Sequence, residues 1–236
     1  MCAQTIDVTD YLNAPVQEAF RVLSANLALK SKAERWKTIS ICSFNPGEGK
    51  TAVAFNLAII AAKSGSKVLL VDGDLRKPNH LKRHGDENII GLTNYDATMK
   101  LEDIVCATGV ENLTYVAAGN KLIDPIEFLS GNDYGTFLKT AVQKYDIVFV
   151  DSPAIGNYID AAVIGSKVSG VLVVVKAQKT KYQNIDRIKW HMGNANANII
   201  GIVLNKVDKV DFRAYFNLHN NYKSLAKHIN KMQPKD

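Results

Sequence analysis

The chain has 236 residues, 47% of them hydrophobic, enough to bury one full α/β core with no internal repeat or low-complexity tract. Lys and Arg number 29 against 23 Asp and Glu, and the resulting +6 suits phosphates or an anionic membrane without marking a nucleic-acid binder. Cys2, Cys42 and Cys106 are too scattered for a disulfide framework or a cysteine metal cluster, and nothing reads as a signal peptide or a membrane span, so reduced thiols in the cytosol are expected.

Residues 1–14 form a polar segment, expected to be extended or mobile. From Pro15 onward Val16, Phe20, Leu23 and Leu27 recur at helical spacing, which predicts an amphipathic helix to about Lys30 with Glu18 and Arg21 as a surface i,i+3 ion pair. A β-prone run over 38–42 and an Ala/Leu/Ile-rich helix over 52–63 follow. Between them lies Ser43-Phe44-Asn45-Pro46-Gly47-Glu48-Gly49-Lys50-Thr51.

That strand–loop–helix setting is where a phosphate would bind. Glycines let backbone N–H groups converge on an anion and the helix N-terminus adds partial positive charge. Pro46, Gly47, Glu48, Gly49, Lys50, Thr51 and Ala52 are the candidate nucleotide-binding residues. Lys50 would reach the β/γ-phosphates, and the Thr51 hydroxyl would ligate Mg²⁺. The first glycine of the full G-x-x-x-x-G-K-[ST] pattern is replaced by Phe44.

The run 67–72 is the signature of a strand buried on both faces of a parallel sheet, and it ends in Asp72-Gly73-Asp74-Leu75-Arg76-Lys77-Pro78. Ligands of open α/β sheets bind at the C-terminal ends of strands, so Asp72 and Asp74 should face the phosphate loop; the alternative makes them turn or cap residues. Residues 79–112 read as irregular, with a short helical piece over 101–106. A third strand over 113–117 and a mostly helical stretch over 126–144 come next. The strand over 145–151 again ends in a carboxylate, Asp151, placed as a P-loop protein places its second Mg²⁺-facing acid. Helices over 160–167 and 182–195 alternate with strands over 170–176 and 199–205. This alternation predicts an α/β fold, with a mainly parallel sheet, helices on both faces and a P-loop NTPase-like plan. Beyond it, Tyr222, Leu225, Ala226, Ile229 and Met232 take helical spacing beside a basic stripe in the tail over 210–236.

Over roughly residues 15–210 these motifs, in order, resemble the bacterial tyrosine kinases of capsule and exopolysaccharide synthesis. Pro46 to Thr51 matches their phosphate loop, Asp72 to Pro78 their Asp-x-Asp-Leu-Arg-x-Pro motif, and Asp151-Ser152-Pro153 their third acidic motif. The resemblance implies one kinase domain that uses ATP and Mg²⁺. Catalytic roles would fall to Lys50, Asp72, Asp74 and Asp151, with Asp72 near the attacking hydroxyl and Thr51, Asp74 and Asp151 serving the metal. It also implies autophosphorylation, protein tyrosine substrates, homo-oligomers, and a membrane adaptor of the polysaccharide export system that recruits and activates a cytoplasmic kinase. The chain departs from the family in three places. Ser24 stands where the assembly motif of the first helix carries Arg, only Tyr215 and Tyr222 remain of a terminal tyrosine cluster, and Ala154 replaces a frequent second proline. Tyr215, in the less regular stretch, is the expected self-substrate.

Three rival readings stay open. A switch ATPase of the septum-positioning or partition type shares the scaffold, but its loop carries a second lysine where this chain has Asn45. Asn205-Lys206-Val207-Asp208 matches the guanine-reading motif of GTPases, although Ala154 stands where they place glycine; Asn205 is therefore a candidate for lining the base pocket. The third is a nucleotide-binding scaffold without kinase activity.

Overall fold

Aliphatic runs flanked by helices settle into a parallel sheet whose middle strands never meet water. The computed structural model describes residues 2–6, 14–77, 90–120, 122 and 124–208. In chain order these form β1 (Cys2–Ile6), α1 (Ala14–Glu34), β2 (Thr38–Ser43), α2 (Lys50–Lys63), β3 (Val68–Asp72), β4 (Val105–Thr108) and β5 (Leu113–Val116). There follow α3 (Pro125–Ser130), α4 (Asn132–Lys144), β6 (Ile147–Ala154), α5 (Asp160–Lys167), β7 (Gly170–Lys176), α6 (Tyr182–Asn194) and β8 (Ile199–Asn205). The strands of the described residues join in one eight-stranded sheet of order β1-β4-β5-β3-β6-β2-β7-β8. All pairings are parallel except β4 with β5, so β1 and β4 run against the other six.

Every residue of β2 and β3 is buried, and so is every residue of β7 except Lys176. Alternate side chains go to opposite faces. On one face Ile39, Ile41, Val68, Leu70, Phe149, Leu172 and Val174 pack under α2 and Leu27 of α1. On the other, Leu69, Val71, Val148 and Val150 meet Leu129, Tyr134, Phe137 and Leu138 of α3 and α4, while Val171, Val173 and Val175 meet Ile188 and Met192 of α6. The two-faced α/β architecture expected from the sequence is the one found. Among the described residues no helix is long and apolar enough to cross a membrane.

Several boundaries differ from the expectation, each for a physical reason. The polar N-terminal stretch contains β1, which pairs with β4, an element the irregular reading of 79–112 also lacked. The helical piece expected over 101–106 is one 3₁₀ turn, Leu101–Asp103, after which Val105 enters β4 because its backbone pairs with Val116. The helix over 126–144 breaks at Gly131, whose extended backbone ends α3 and starts α4. Strand β6 runs three residues past Asp151, because Ala154 pairs with Ser43 across a register shift and Ile155 N–H donates to Ser43 O at 2.9 Å. The tail with Tyr215 and Tyr222, and Pro78 of the second acidic motif, lie outside the described residues.

Candidate active site

The phosphate loop leaves β2 at Ser43 and turns directly into α2, whose first residue is Lys50. Gly49, just before the helix, sits at φ 101°, a left-handed conformation open to glycine at little cost, and a Cβ there would lie 2.1 Å from Asn205 Nδ2. Loop and helix leave the N–H groups of the first turn without intrahelical partners, the feature a phosphate needs.

Glu48 lies 3% exposed, and its carboxylate is folded back into its own loop. Oε2 accepts from the N–H groups of Phe44 and Asn45 at 3.0 and 3.1 Å. Oε1 accepts from Asn45 Nδ2 at 3.2 Å and from the Thr180 hydroxyl at 2.6 Å. Thus only the backbone of Glu48 is offered to a phosphate, while its side chain braces the loop against the segment after β7. A second brace comes from the end of β8, where Asn205 Nδ2 donates to Glu48 O at 2.9 Å and Lys206 Nζ donates to Gly47 O at 2.8 Å. Asn205 therefore stands at the loop itself. Lys206 and Thr180 were not read as site residues from sequence. The Asn-Lys-x-Asp match is a signal for Lys206, although as a guanine-reading motif it points to a base rather than to the loop.

The acids arrive from the neighbouring strands. β6 lies between β3 and β2, and its Asp151 is the in-register partner of Asp72 on one side and of Ile41 on the other. Both carboxylates are 2% exposed. Lys50 Nζ stands 3.8 Å from Asp151 Oδ1 and 3.3 Å from the Thr51 hydroxyl, which also bonds Asp151. Asp74 is half-buried on the turn after β3: its N–H donates to Asp72 Oδ1 at 3.1 Å, and its own Oδ1 accepts from Lys77 N at 3.0 Å. The Tyr115 hydroxyl approaches Asp72 Oδ2 at 3.5 Å. The structure thus brings Lys50, Thr51, Asp72, Asp74, Asp151 and Asn205 to one end of the sheet around the loop.

Burial pushes the Asp151 carboxyl up to about 6; the Lys50 ammonium and the Thr51 hydrogen bond pull the other way, and the charge of Asp74 adds to the rise. A buried acid raised by desolvation and by a neighbouring carboxylate, beside a hydroxyl, is a donor set of hard oxygens suited to a small divalent cation. Among the described residues no three His, Cys, Asp or Glu converge closely enough to hold a metal by themselves.

Comparison with known proteins follows the same lines as this geometry. A family model described as an AAA domain matches residues 36–199. The tyrosine-protein kinase CpsD of Streptococcus pneumoniae serotype 4 is 33% identical over 194 residues, covering 81% of this chain and 85% of its own. The kinase domain of the Escherichia coli tyrosine kinase ETK superimposes with a TM-score of 0.76 at 29% identity, over 82% of this chain and 76% of that one. The chimerical protein CapA2B2 gives 0.76 at 26% identity, over 87% and 94%. The cell division ATPase MinD of Pyrococcus furiosus is more distant, with a TM-score of 0.56 at 25% identity over 75% and 74%.

Proposed function

The chain belongs to the AAA-domain family and, within it, to the bacterial tyrosine-protein kinases, and from that membership we propose that it moves the γ-phosphoryl group of ATP to tyrosine hydroxyls in the control of capsular or exopolysaccharide synthesis. The observation that carries this reading is the register of β3 against β6. It sets Asp72 beside Asp151, whose carboxylate stands 3.8 Å from Lys50 of the phosphate loop.

A tyrosine hydroxyl, with a pKa of about 10, needs a base at neutral pH. In this reading Asp72 takes the phenolic proton while the phenolic oxygen bonds the γ-phosphorus and the bond to the β–γ bridging oxygen breaks, releasing ADP. Lys50 and the N–H groups over 47–52 hold the β- and γ-phosphates in line with the acceptor. Thr51, Asp74 and Asp151 would hold Mg²⁺, which when bound offsets charge on the phosphates. Asn205 keeps the loop in shape at the side where the base would lie. That one kinase domain spans the whole chain is part of the same proposal.

The switch-ATPase reading finds no second loop lysine: Asn45 bonds Glu48 instead, and Lys206 turns its ammonium to the Gly47 carbonyl. The two readings separate when the purified chain is incubated with labelled ATP, with and without the cytoplasmic tail of a membrane adaptor. Phosphotyrosine that rises with the tail is the expected result. Release of inorganic phosphate with no phosphotyrosine would instead mark a switch ATPase.

Partners follow from the same family reading: an adaptor that recruits the chain to the inner face of the membrane, protein tyrosine substrates and a homo-oligomer. On α1 the Glu18–Arg21 pair is a surface contact of 3.7 Å, and Ser24 is a half-buried hydroxyl with no charge to offer a neighbour. Loss of a bidentate Arg contact at an interface costs a few kcal/mol, about tenfold in affinity for each 1.4 kcal/mol. Self-association of the isolated chain through α1 is therefore expected to be weak or dependent on the adaptor, and a stable ring at low micromolar concentration in light scattering would contradict it.

A further inference from the structure

The turn that carries Asp74 is held at both ends. On its N-terminal side Gly73 N–H donates to Asp151 O at 2.8 Å, and a Cβ on Gly73 would stand 2.9 Å from Val150 Cγ1 and 3.3 Å from Ile164 Cδ1. The turn therefore lies directly on β6 and α5. On its C-terminal side Leu75 is fully buried, and Arg76 reaches α5, 84 residues further along the chain. There Nε donates to Asp160 Oδ2 at 2.6 Å and a terminal nitrogen to Oδ1 at 2.9 Å, while the guanidinium lies 4.4 Å over the ring of Tyr158. Asp160 is 1% exposed and is the first residue of α5, so the helix N-terminus also favours its charge.

A two-pronged Arg–carboxylate bond fixes direction as well as distance, which a lysine or a single hydrogen bond does not. Tyr158 and Asp160 both lie on the segment that continues from the strand of Asp151. The bond therefore ties the turn bearing Asp74 to α5, the helix that follows the strand of Asp151, and Lys50 and the phosphate loop take no part in it. We propose that Arg76, clamped by Asp160 and seated on Tyr158, is a positioning residue that sets Asp74 opposite Asp151 and so tunes the affinity for the nucleotide-bound divalent cation. This rests on the reading of Asp74 and Asp151 as the metal-facing acids, and not on the nature of the phosphoryl acceptor.

The test uses the full chain and a fluorescent ADP analogue. Binding is titrated in EDTA and then across a Mg²⁺ series, for the wild type, Asp160→Asn, Arg76→Lys and the double variant, with melting temperatures measured alongside. Each single variant is expected to raise the half-saturating Mg²⁺ roughly tenfold while metal-free ADP affinity moves by less than about twofold, as for other groups that orient metal ligands. The double variant should be little worse than either single one, since both break the same bond. Should Asp160→Asn fail to fold, Arg76→Lys, which keeps the charge and loses only the fork, carries the test alone. An unchanged Mg²⁺ requirement in a folded variant overturns the inference, and so does an equal loss of metal-free and Mg²⁺-assisted binding, which would mean general damage. Because no tyrosine acceptor enters, a wild type that binds MgADP but makes no phosphotyrosine defeats the kinase reading and leaves this one standing.

Discussion

Replacing Lys50 with Met is expected to lower phosphoryl transfer by at least about a hundred- to a thousandfold, the range measured when one preorganised charge-stabilising donor is removed from a reaction centre. The size follows from where the ammonium stands. It is held 3.3 Å from the Thr51 hydroxyl and 3.8 Å from Asp151 Oδ1, at the first residue of α2, where the γ-phosphate's developing charge would be met. Water cannot substitute for it, because a solvent dipole would have to reorient during the reaction, whereas Lys50 is already in place. The fold should survive, since Lys50 belongs to none of the apolar clusters that hold the sheet to its helices. Two measurements check this: phosphotyrosine formation from labelled ATP, and circular dichroism to show an intact fold. Undiminished transfer by a folded Lys50→Met chain would remove Lys50 from the mechanism.

How much of this site was legible in the sequence depends on how far apart its contacts lie. Lys50 and Thr51 belong to one local pattern, and local pattern also placed β7, β8 and α5 at their observed limits, because apolar runs there end sharply at Lys176, Asn205 and Lys167. Asp72 and Asp151 could be read as strand-end acids but not as neighbours, since strand order comes from tertiary packing and only the register of β3 on β6 makes them a pair. Strands β1 and β4 escaped because their backbones, rather than any apolar period, hold them at the sheet margin; Val-Cys-Ala-Thr inside a polar stretch carries little signal. The motif groups Glu48 with the nucleotide-binding loop, and nothing in it foretells that the carboxylate turns inward to the N–H groups of Phe44 and Asn45. Arg76 and Asp160 were each visible, yet the 84 residues between them hid their bond.

The second large effect runs in opposite directions for stability and activity. Asp151→Asn is expected to stabilise the ligand-free protein at pH 7.5 while cutting phosphoryl transfer by about a hundredfold or more, because a group that meets the cation only when nucleotide is bound is costly to bury without it. Asp151 is 2% exposed, and burial, ahead of every other influence, pushes its carboxyl up from 3.8 to about 6. A raised acid has the reverse of the usual carboxylate behaviour. Below pH 4 both folded and unfolded chains hold the proton and nothing is lost; between about pH 4 and 6 the unfolded chain ionises first, and stability falls as pH rises; at neutral pH the full penalty, on the order of 2–3 kcal/mol, is present. Asparagine keeps the shape and removes the charge, so ligand-free melting at pH 7.5 should rise by several degrees, at roughly 2–4 °C per kcal/mol for a domain of this size. Near pH 4 the variant and the wild type should melt almost together. Saturating MgADP should reverse the order at pH 7.5, since only the wild type offers the cation the Asp151 carboxylate in addition to that of Asp74 and gains binding energy from it. Scanning calorimetry of both proteins at the two pH values, with and without MgADP, decides the matter: an Asn variant less stable than the wild type at pH 7.5 without ligand would make Asp151 a structural partner of Lys50 rather than a charge kept waiting for the metal.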